Sequence, residues 1–197
     1  MDADRIKWNH RFASEPLFLG VNASPFLQRE LETIKHLAPG HRALDIACGE
    51  GRNSIFLARN GFRVTGVDIS DTGIAKGERL AREQGVKVEF RRTDLDGYYI
   101  AEQFDVILNF NFLLRGLIPG EVNALAPGGV LLFDTILESP HLLASHNSDY
   151  LLRYGELERT FRAFAGEILF SEEKREDETP TARLMFQKAP VTGLPDS

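Results

Sequence analysis

The stretch from Leu44 to Gly61 reads LDIACGEGRNSIFLARNG: an apolar run ending on acid, a Gly-x-Gly loop, then an amphipathic helix pattern. Gly49 and Gly51 carry no side chain, so the backbone there can turn tightly and let another group approach. Asp68 ends the next apolar run, about 20 residues beyond the loop, the place of an acid that takes a ribose diol in nucleoside sites. A carboxylate accepts two charge-assisted hydrogen bonds from vicinal hydroxyls. Asp94 ends the third run and can accept from an adenine amino group. Each acid also has a plainer reading: Asp68 as an acid at a helix N-terminus, Asp94 as a turn residue.

The loop chemistry narrows the ligand. GEGRNS lacks the Lys-Ser/Thr pair that holds a triphosphate and its magnesium ion, so a Walker loop is excluded. A dinucleotide fingerprint needs glycine at 54, where Ser54 stands. Asp45 lies just before the loop and Glu50 inside it, poor neighbours for a pyrophosphate and good ones for positive charge. S-adenosylmethionine (SAM) carries an ammonium and a sulfonium and no phosphate, so the loop suits a cationic nucleoside. A nicotinamide dinucleotide with oxidoreductase chemistry is the weaker alternative.

The surrounding pattern must hold these residues at one edge of a sheet. SPFLQRELETIKHLAPG has helical spacing of apolar residues and stops at Pro39-Gly40. RALDIA is a short strand, Arg52 to Asn60 a helix closed by Gly61, and FRVTGVDIS a second strand. Ser70 or Asp71 caps a helix that ends at Gly85, and VKVEFRRTD is a third strand. FDVILNF is nearly continuously apolar, as a strand covered on both faces requires. RGLIPGEVNALAPGG reads as a helix or broken helix ending in a Pro-Gly-Gly turn, before the fifth strand VLLFDTI. The stretch from Glu138 to Tyr154 is loop-like, and GELERTFRAF is a helix. GEILFSEEKRED and TARLMFQKA are too close together for a crossover helix, so they form an antiparallel hairpin. Alternation of strand and helix implies parallel pairing through crossover helices. The expectation is an α/β, Rossmann-like three-layer sandwich, its seven-stranded sheet mostly parallel with a C-terminal antiparallel hairpin. One domain over 1–189 is expected, with residues 1–40 as a helical lid and 190–197 as a disordered tail.

Composition bounds the function. The chain has 197 residues, 43% of them hydrophobic with 14 Phe, enough apolar material for one sizeable core. A net charge of -6 and the lack of a basic run argue against nucleic acid as a partner. No apolar stretch approaches the ~20 residues that span a membrane, and the start MDADRIKWNHRF lacks the apolar core of a signal peptide. The single Cys48 makes no internal disulfide, and the five histidines show no metal-ligand spacing, so no metal is assigned. The expectation is a cytoplasmic protein acting on a small molecule.

LDIACGEGRNSIFLARNGFRVTGVDIS resembles the first motif and following acidic strand of the class I SAM-dependent methyltransferases. WNHRF, FDVILNFNFLLR, LAPGGVLLFDTI, NSDYLLRYGELERTF and ARLMFQK extend the likeness from Trp8 to Lys188, toward the tellurite-resistance and thiopurine methyltransferase-like group. The resemblance implies that Asp45, Ala47, Gly49 and Gly51 flank the methionine portion of SAM. It places Asp68 on the ribose, Ile69 on adenine, Asp94 and the Leu95 backbone at the adenine edge, and Phe110 below the sulfonium. Arg11 or Arg52 pairs with the methionine carboxylate. Asn111, Phe112, Arg115, Asp134, Asn147 and Tyr150 line the acceptor side. The chain departs from the family at Ala47, where the first motif glycine stands, at Phe12 in place of Tyr, and at Asp134 in place of Glu.

Methyl transfer from a sulfonium is an in-line displacement with an activated leaving group, so alignment and water exclusion are the main tasks. No His, Lys or Cys has an evident partner as a base; His141 and His146 read as surface loop residues. The expected acceptor is a soft, already deprotonated nucleophile such as a thiolate or a chalcogen oxyanion, drawn in by Arg115. A SAM-binding protein without methyl transfer is the reading from another functional class.

Overall fold

The computed structural model describes residues 2–13, 17–175 and 178–190. Seven strands form one sheet: β1 (Arg42–Ile46), β2 (Arg63–Asp68), β3 (Val88–Arg92), β4 (Phe104–Phe110), β5 (Leu125–Ile136), β6 (Gly166–Lys174) and β7 (Thr181–Lys188). Their order is β3-β2-β1-β4-β5-β7-β6. Strands β1 to β5 pair in parallel, and β7 is antiparallel to both β5 and β6. The order reverses between β1 and β4, so the crevice at their carboxyl ends is the ligand position of an open α/β sheet.

The helices cover both faces, giving the three layers. Helices α2 (Pro25–Leu37) and α3 (Arg52–Arg59) bury Phe26, Leu27, Ile34 and Leu57 against Val106, Leu108, Val130 and Leu132. On the other face α5 (Ile118–Ala124) and α7 (Glu156–Phe161) bury Ile118, Val122, Leu157 and Phe161 against Ile107, Leu131, Phe133 and Leu184. The alternation along β4 and β5 sorts these residues between the two cores, as a strand's period of two demands. Helix α4 (Asp71–Glu83) packs beside β2 and β3, and α1 (Asp2–Phe12) lies on α4. Ser70 caps α4 by accepting from the Gly73 N–H at 3.0 Å.

The fifth strand differs from its sequence reading. It begins at Leu125 rather than Val130, because Leu125 pairs with Phe104 before a register shift, and Gly128 adopts φ 77°. Pro-Gly-Gly therefore lies in an irregular strand rather than in a turn, a bulge that left-handed glycine permits. The segment read as a helix or broken helix resolves into a 3-10 turn at Arg115–Leu117 followed by α5. Within the loop-like stretch after β5, α6 (Pro140–Leu143) and a 3-10 turn at Ser148–Tyr150 form single turns. The expected disordered tail lies outside the described residues beyond Pro190.

Candidate functional site

The strand ends bring three acids to the reversal crevice. Asp45 on β1 is 2% exposed and accepts from the Ser54 hydroxyl at 2.6 Å. Burial, with the Asp68 charge nearby, pushes its carboxyl up to about 7, against the lowering influence of Ser54 and Arg52. Asp68 ends β2. One of its oxygens accepts from the Gly49 N–H and the other from the Ser70 N–H, both at 2.8 Å. Two carboxylate oxygens offer about four acceptor positions, so the pair of backbone bonds leaves capacity for a diol. Desolvation raises the Asp68 carboxyl, while the Ser70 and Gly49 amides lower it. Asp134, on β5, is 8% exposed and accepts from Arg183 Nε at 3.1 Å. Burial raises its carboxyl against the pull of Arg183 and Arg52.

Backbone strain marks the same edge. The two non-glycine residues with positive φ are Ala47 at 52° and Asn111 at 55°, among the described residues. Each directly follows its strand, β1 or β4, on either side of the reversal. Such conformations cost of order 1–3 kcal/mol and persist where surrounding structure enforces them. At Asn111 that structure is its own N–H, which donates to the Asp134 carbonyl at 2.7 Å. At position 47 the left-handed backbone, at φ 52°, is one that glycine adopts without strain, which accounts for the glycine usual there in the family that the sequence resembles.

The loop glycines serve packing as well as turning. Gly49 has φ 56°, and a β-carbon on it would stand 3.0 Å from Phe12 Cζ. Gly51 has φ 77°, and a β-carbon there would stand 2.5 Å from Phe90 Cζ. Phe12 thus lies directly on the loop, and Trp8 stacks on Phe12 with ring centres 5.6 Å apart. Asn9 joins α1 to the cap of α4, accepting from Ser70 Oγ at 2.6 Å and from the Thr72 N–H at 3.1 Å.

Glu50 corrects a step of the sequence argument. Its carboxylate is buried and turned away from the crevice, 3.2 Å from Lys76 Nζ and accepting from the Phe18 N–H at 2.8 Å. A buried acid seeks a partner charge and a donor, so Glu50 is neutralised within the fold and Asp45 alone carries the argument for a cationic ligand. Arg52 is also engaged, donating to the Leu19 carbonyl at 2.9 Å. Arg11 lies over the Phe18 ring with its Cζ 4.4 Å from the centroid.

The adenine-side candidates follow the ends of β2 and β3. The Thr93 N–H donates to the Asp68 carbonyl at 2.8 Å, drawing Asp94 beside Asp68. Asp94 is exposed and accepts from the Asp96 N–H, a turn contact that leaves it open to solvent. Ile69 is half-buried, and Leu95 is a core residue that offers only its backbone. Phe110 is buried against Phe26, with ring centres 6.0 Å apart.

On the acceptor side, Arg115 is committed to framework. It forms a bidentate pair with Glu156 and donates to the Asp149 and Leu151 carbonyls at 2.7 and 2.9 Å. Its fork is filled, so it staples the segment 149–151 to the turn after β4 rather than offering a guanidinium to an anion. Tyr150, Asn147 and Asn111 are exposed and Phe112 is half-buried. Asn147 spends its side-chain oxygen on the Asp149 N–H. His141 and His146 are exposed, and His146 Nδ1 lies 2.9 Å from Ser145 Oγ. Burial pushes the Cys48 thiol far up, which suits packing rather than nucleophilic attack.

Sequence reasoning missed Arg183 and the pair Asn109–Glu121. Arg183 faces Asp134 in the antiparallel register of β7 on β5, a cross-strand charge pair visible only once that register is known. Glu121 is fully buried and accepts from Asn109 Nδ2 at 2.7 Å, leaving Glu121 Oε2 and Asn109 Oδ1 without hydrogen bonds.

Comparison with known proteins agrees with this geometry. A family model described as a methyltransferase domain matches residues 43–129. A ubiquinone biosynthesis O-methyltransferase of Hahella chejuensis is 34% identical over 124 residues, covering 58% of this chain and 52% of that protein. The chain thus spans about half the length of the curated relatives it matches. Among solved structures, TehB from Haemophilus influenzae aligns with TM-score 0.67 and 21% identity, over 82% of this chain and 62% of that one. The N-methyltransferase NodS from Bradyrhizobium japonicum, in complex with S-adenosyl-L-homocysteine, aligns with TM-score 0.71 and 18% identity, over 93% and 97%. Residues 43–129, which include both strained turns at the reversal, thus match a methyltransferase domain, and the solved structures share the fold of the chain.

Proposed function

We propose that this protein transfers the methyl group of SAM to a small-molecule nucleophile. The observation that carries the reading is Asp68, anchored at the end of β2 by the Gly49 and Ser70 amides, beside buried Asp45 on β1. In this reading Asp68 accepts from the ribose hydroxyls and Asp45 faces the methionine ammonium. Asp94, Ile69 and the Leu95 backbone frame adenine, and Ala47, Gly49 and Gly51 shape the turn over the methionine portion. Arg11 or Arg52 takes the methionine carboxylate; Arg52 bonds the Leu19 carbonyl through Nη1 alone and lies within reach of the Asp45 and Asp134 charges. Phe110 backs the sulfonium. When bound, SAM supplies a methyl group already activated on sulfur.

The residues of the chain then align and exclude water. Asp134 stands one strand beyond Phe110, on the neighbouring register position of β5. Arg183 fixes its carboxylate, and the Asn111 N–H fixes its carbonyl. Phe112, Asn147 and Tyr150 wall the acceptor side, and Arg115 holds that wall closed. The acceptors that fit this chemistry are thiols, hydroxyls and the oxyanions of tellurium or selenium. The name of the curated relatives favours oxygen. A turnover screen for S-adenosylhomocysteine release, over small thiols, phenolic hydroxyls, tellurite and selenite, tests the reading. Release with one class supports it; SAM binding with no release on any acceptor supports a SAM-binding protein without transfer.

A further inference from the structure

We infer that Asp134 is the catalytic base of the transfer, and that the acceptor reaches it as a protonated hydroxyl or thiol rather than as an oxyanion. The inference rests on methyl transfer from SAM with the sulfonium at Phe110, as in the proposed function.

Phe110 and Asp134 are register partners at the ends of β4 and β5. Leu132 packs toward α2 and Phe133 into the opposite core, so alternation turns Asp134 back to the α2 face, the face of Phe110. The Phe26 ring underlies both, 6.0 Å from the Phe110 ring and 5.8 Å from Cζ of Arg183, the partner of Asp134. Neighbouring strands run about 4.8 Å apart, and in-line attack puts the nucleophile about 3–3.5 Å from the methyl carbon. A nucleophile attacking from the β5 side of Phe110 therefore stands over Asp134.

The carboxylate is aimed rather than consumed. Arg183 Nε donates to its Oδ2 at 3.1 Å, and Glu172 stands 3.7 Å from Arg183 Nη1, so the guanidinium is held between β5 and β6. The Asn111 N–H fixes the Asp134 carbonyl at 2.7 Å. Asp134 Oδ1 accepts no hydrogen bond among the described residues. An ionised carboxylate only accepts, so it draws in an X–H donor and repels an oxyanion. The charges facing it are Arg183 on β7, Arg52 at the start of α3 and Glu172 on β6; burial outweighs the two arginines and raises the carboxyl, which makes it a stronger base. In the step, a lone pair on the acceptor oxygen or sulfur attacks the methyl carbon. The bonding pair of the broken S–CH3 bond returns to sulfur, giving neutral S-adenosylhomocysteine. The acceptor's proton passes to Asp134 Oδ1 and from there to water.

The test uses Asp134→Asn and, so that no arginine is left without its acid, Asp134→Asn/Arg183→Gln. SAM affinity is measured by calorimetry. Release of S-adenosylhomocysteine at saturating SAM is measured over a series of phenols and a series of thiols, with tellurite and selenite beside them. Each series runs from acceptors ionised at the assay pH to acceptors with a pKa of about 10. The expected result is wild-type turnover of hydroxyls or thiols, with both variants binding SAM within about threefold of wild type. In both variants kcat falls about 10²–10³-fold for the weakly acidic acceptors and less than about fivefold for those already ionised. A merely structural role slows every acceptor alike. Equal losses across a series, undiminished turnover of the weakly acidic acceptors, loss of SAM binding in both variants, or wild-type release with tellurite or selenite alone overturns the inference and leaves methyl transfer standing. Wild-type release with no acceptor overturns methyl transfer itself, and the base falls with it.

Discussion

In the proposed function Asp68 has two tasks at once, and substituting it tests both. Its carboxylate ties the Gly49 amide to the start of α4, and in the proposed function it also takes the ribose diol. Asp68→Ala should lose at least ~10²-fold in SAM affinity, since hydrogen bonds to a charged group contribute about 1.5–3 kcal/mol each. Calorimetry on the folded variant checks this; wild-type affinity would remove the ribose role. Asp45 adds a pH dependence with a definite sign. Its carboxyl is raised to about 7 in the free protein, so it is largely protonated below that pH. An ammonium beside it favours the ionised form, so SAM binding releases a proton and weakens as pH falls below 7, by up to about tenfold per unit. Titrations at pH 6 and pH 8 in buffers of different ionisation enthalpy measure both effects. Asp45→Asn should abolish the dependence. Glu121 titrates in the same range for another reason: full burial raises it to about 7, only partly opposed by Asn109. Its folded value exceeds its unfolded one. Its contribution to stability is therefore present below the unfolded value near 4.5 and lost as pH rises through about 7. Glu121→Gln removes that slope, and its amide can pair both ways with Asn109. Urea unfolding should show the variant more stable than wild type at pH 8 by on the order of 1–3 kcal/mol, and close to wild type at pH 5. A deficit at pH 8 would contradict a neutral partner for Asn109.

Helix α1 is an element whose burial rests on one side chain, Phe12, laid over Gly49 and Gly73. The sheet and both cores are complete without it. Deleting residues 1–13 should leave a cooperatively folding protein whose SAM affinity falls at least about tenfold, because the loop loses its cover and Arg11 together. Melting curves and calorimetry on that truncation decide the point; a large fall in melting temperature with intact affinity would make α1 structural only. The elements were largely readable because their burial imposes patterns: β4 is covered on both faces and reads as a continuous apolar run, while α2 shows its stripe. The start of β5 was not readable, since Ala-Pro-Gly-Gly has turn composition and only the pairing of Leu125 with Phe104 draws it into the sheet. Partners were less legible than elements. Asp45, Asp68 and Asp94 follow strand ends and so were locatable as site candidates. The direction of Glu50, toward Lys76 instead of the crevice, and the filled fork of Arg115 depend on contacts between distant segments. No periodicity in the chain encodes such contacts.

At the scale of the whole molecule, the reversal of strand order does the positioning. It leaves a crevice at the carboxyl ends of β1 and β4, with the nucleoside acids on the β1–β2 side and Asp134–Arg183 on the β5–β7 side. In the proposed function, cofactor and acceptor approach from opposite flanks of one edge, the geometry an in-line displacement needs. No helix among the described residues is long and apolar enough to cross a membrane. The charge pattern of the crevice is the feature that separates a cationic nucleoside from a dinucleotide, since Asp45 remains as the buried acid before the loop while Glu50 is neutralised inside the fold. Calorimetric titration of the whole chain with SAM, S-adenosylhomocysteine and NAD tests that distinction most directly. The account predicts saturable one-to-one binding of SAM and S-adenosylhomocysteine, with no heat from NAD. Binding of NAD without binding of SAM would contradict it.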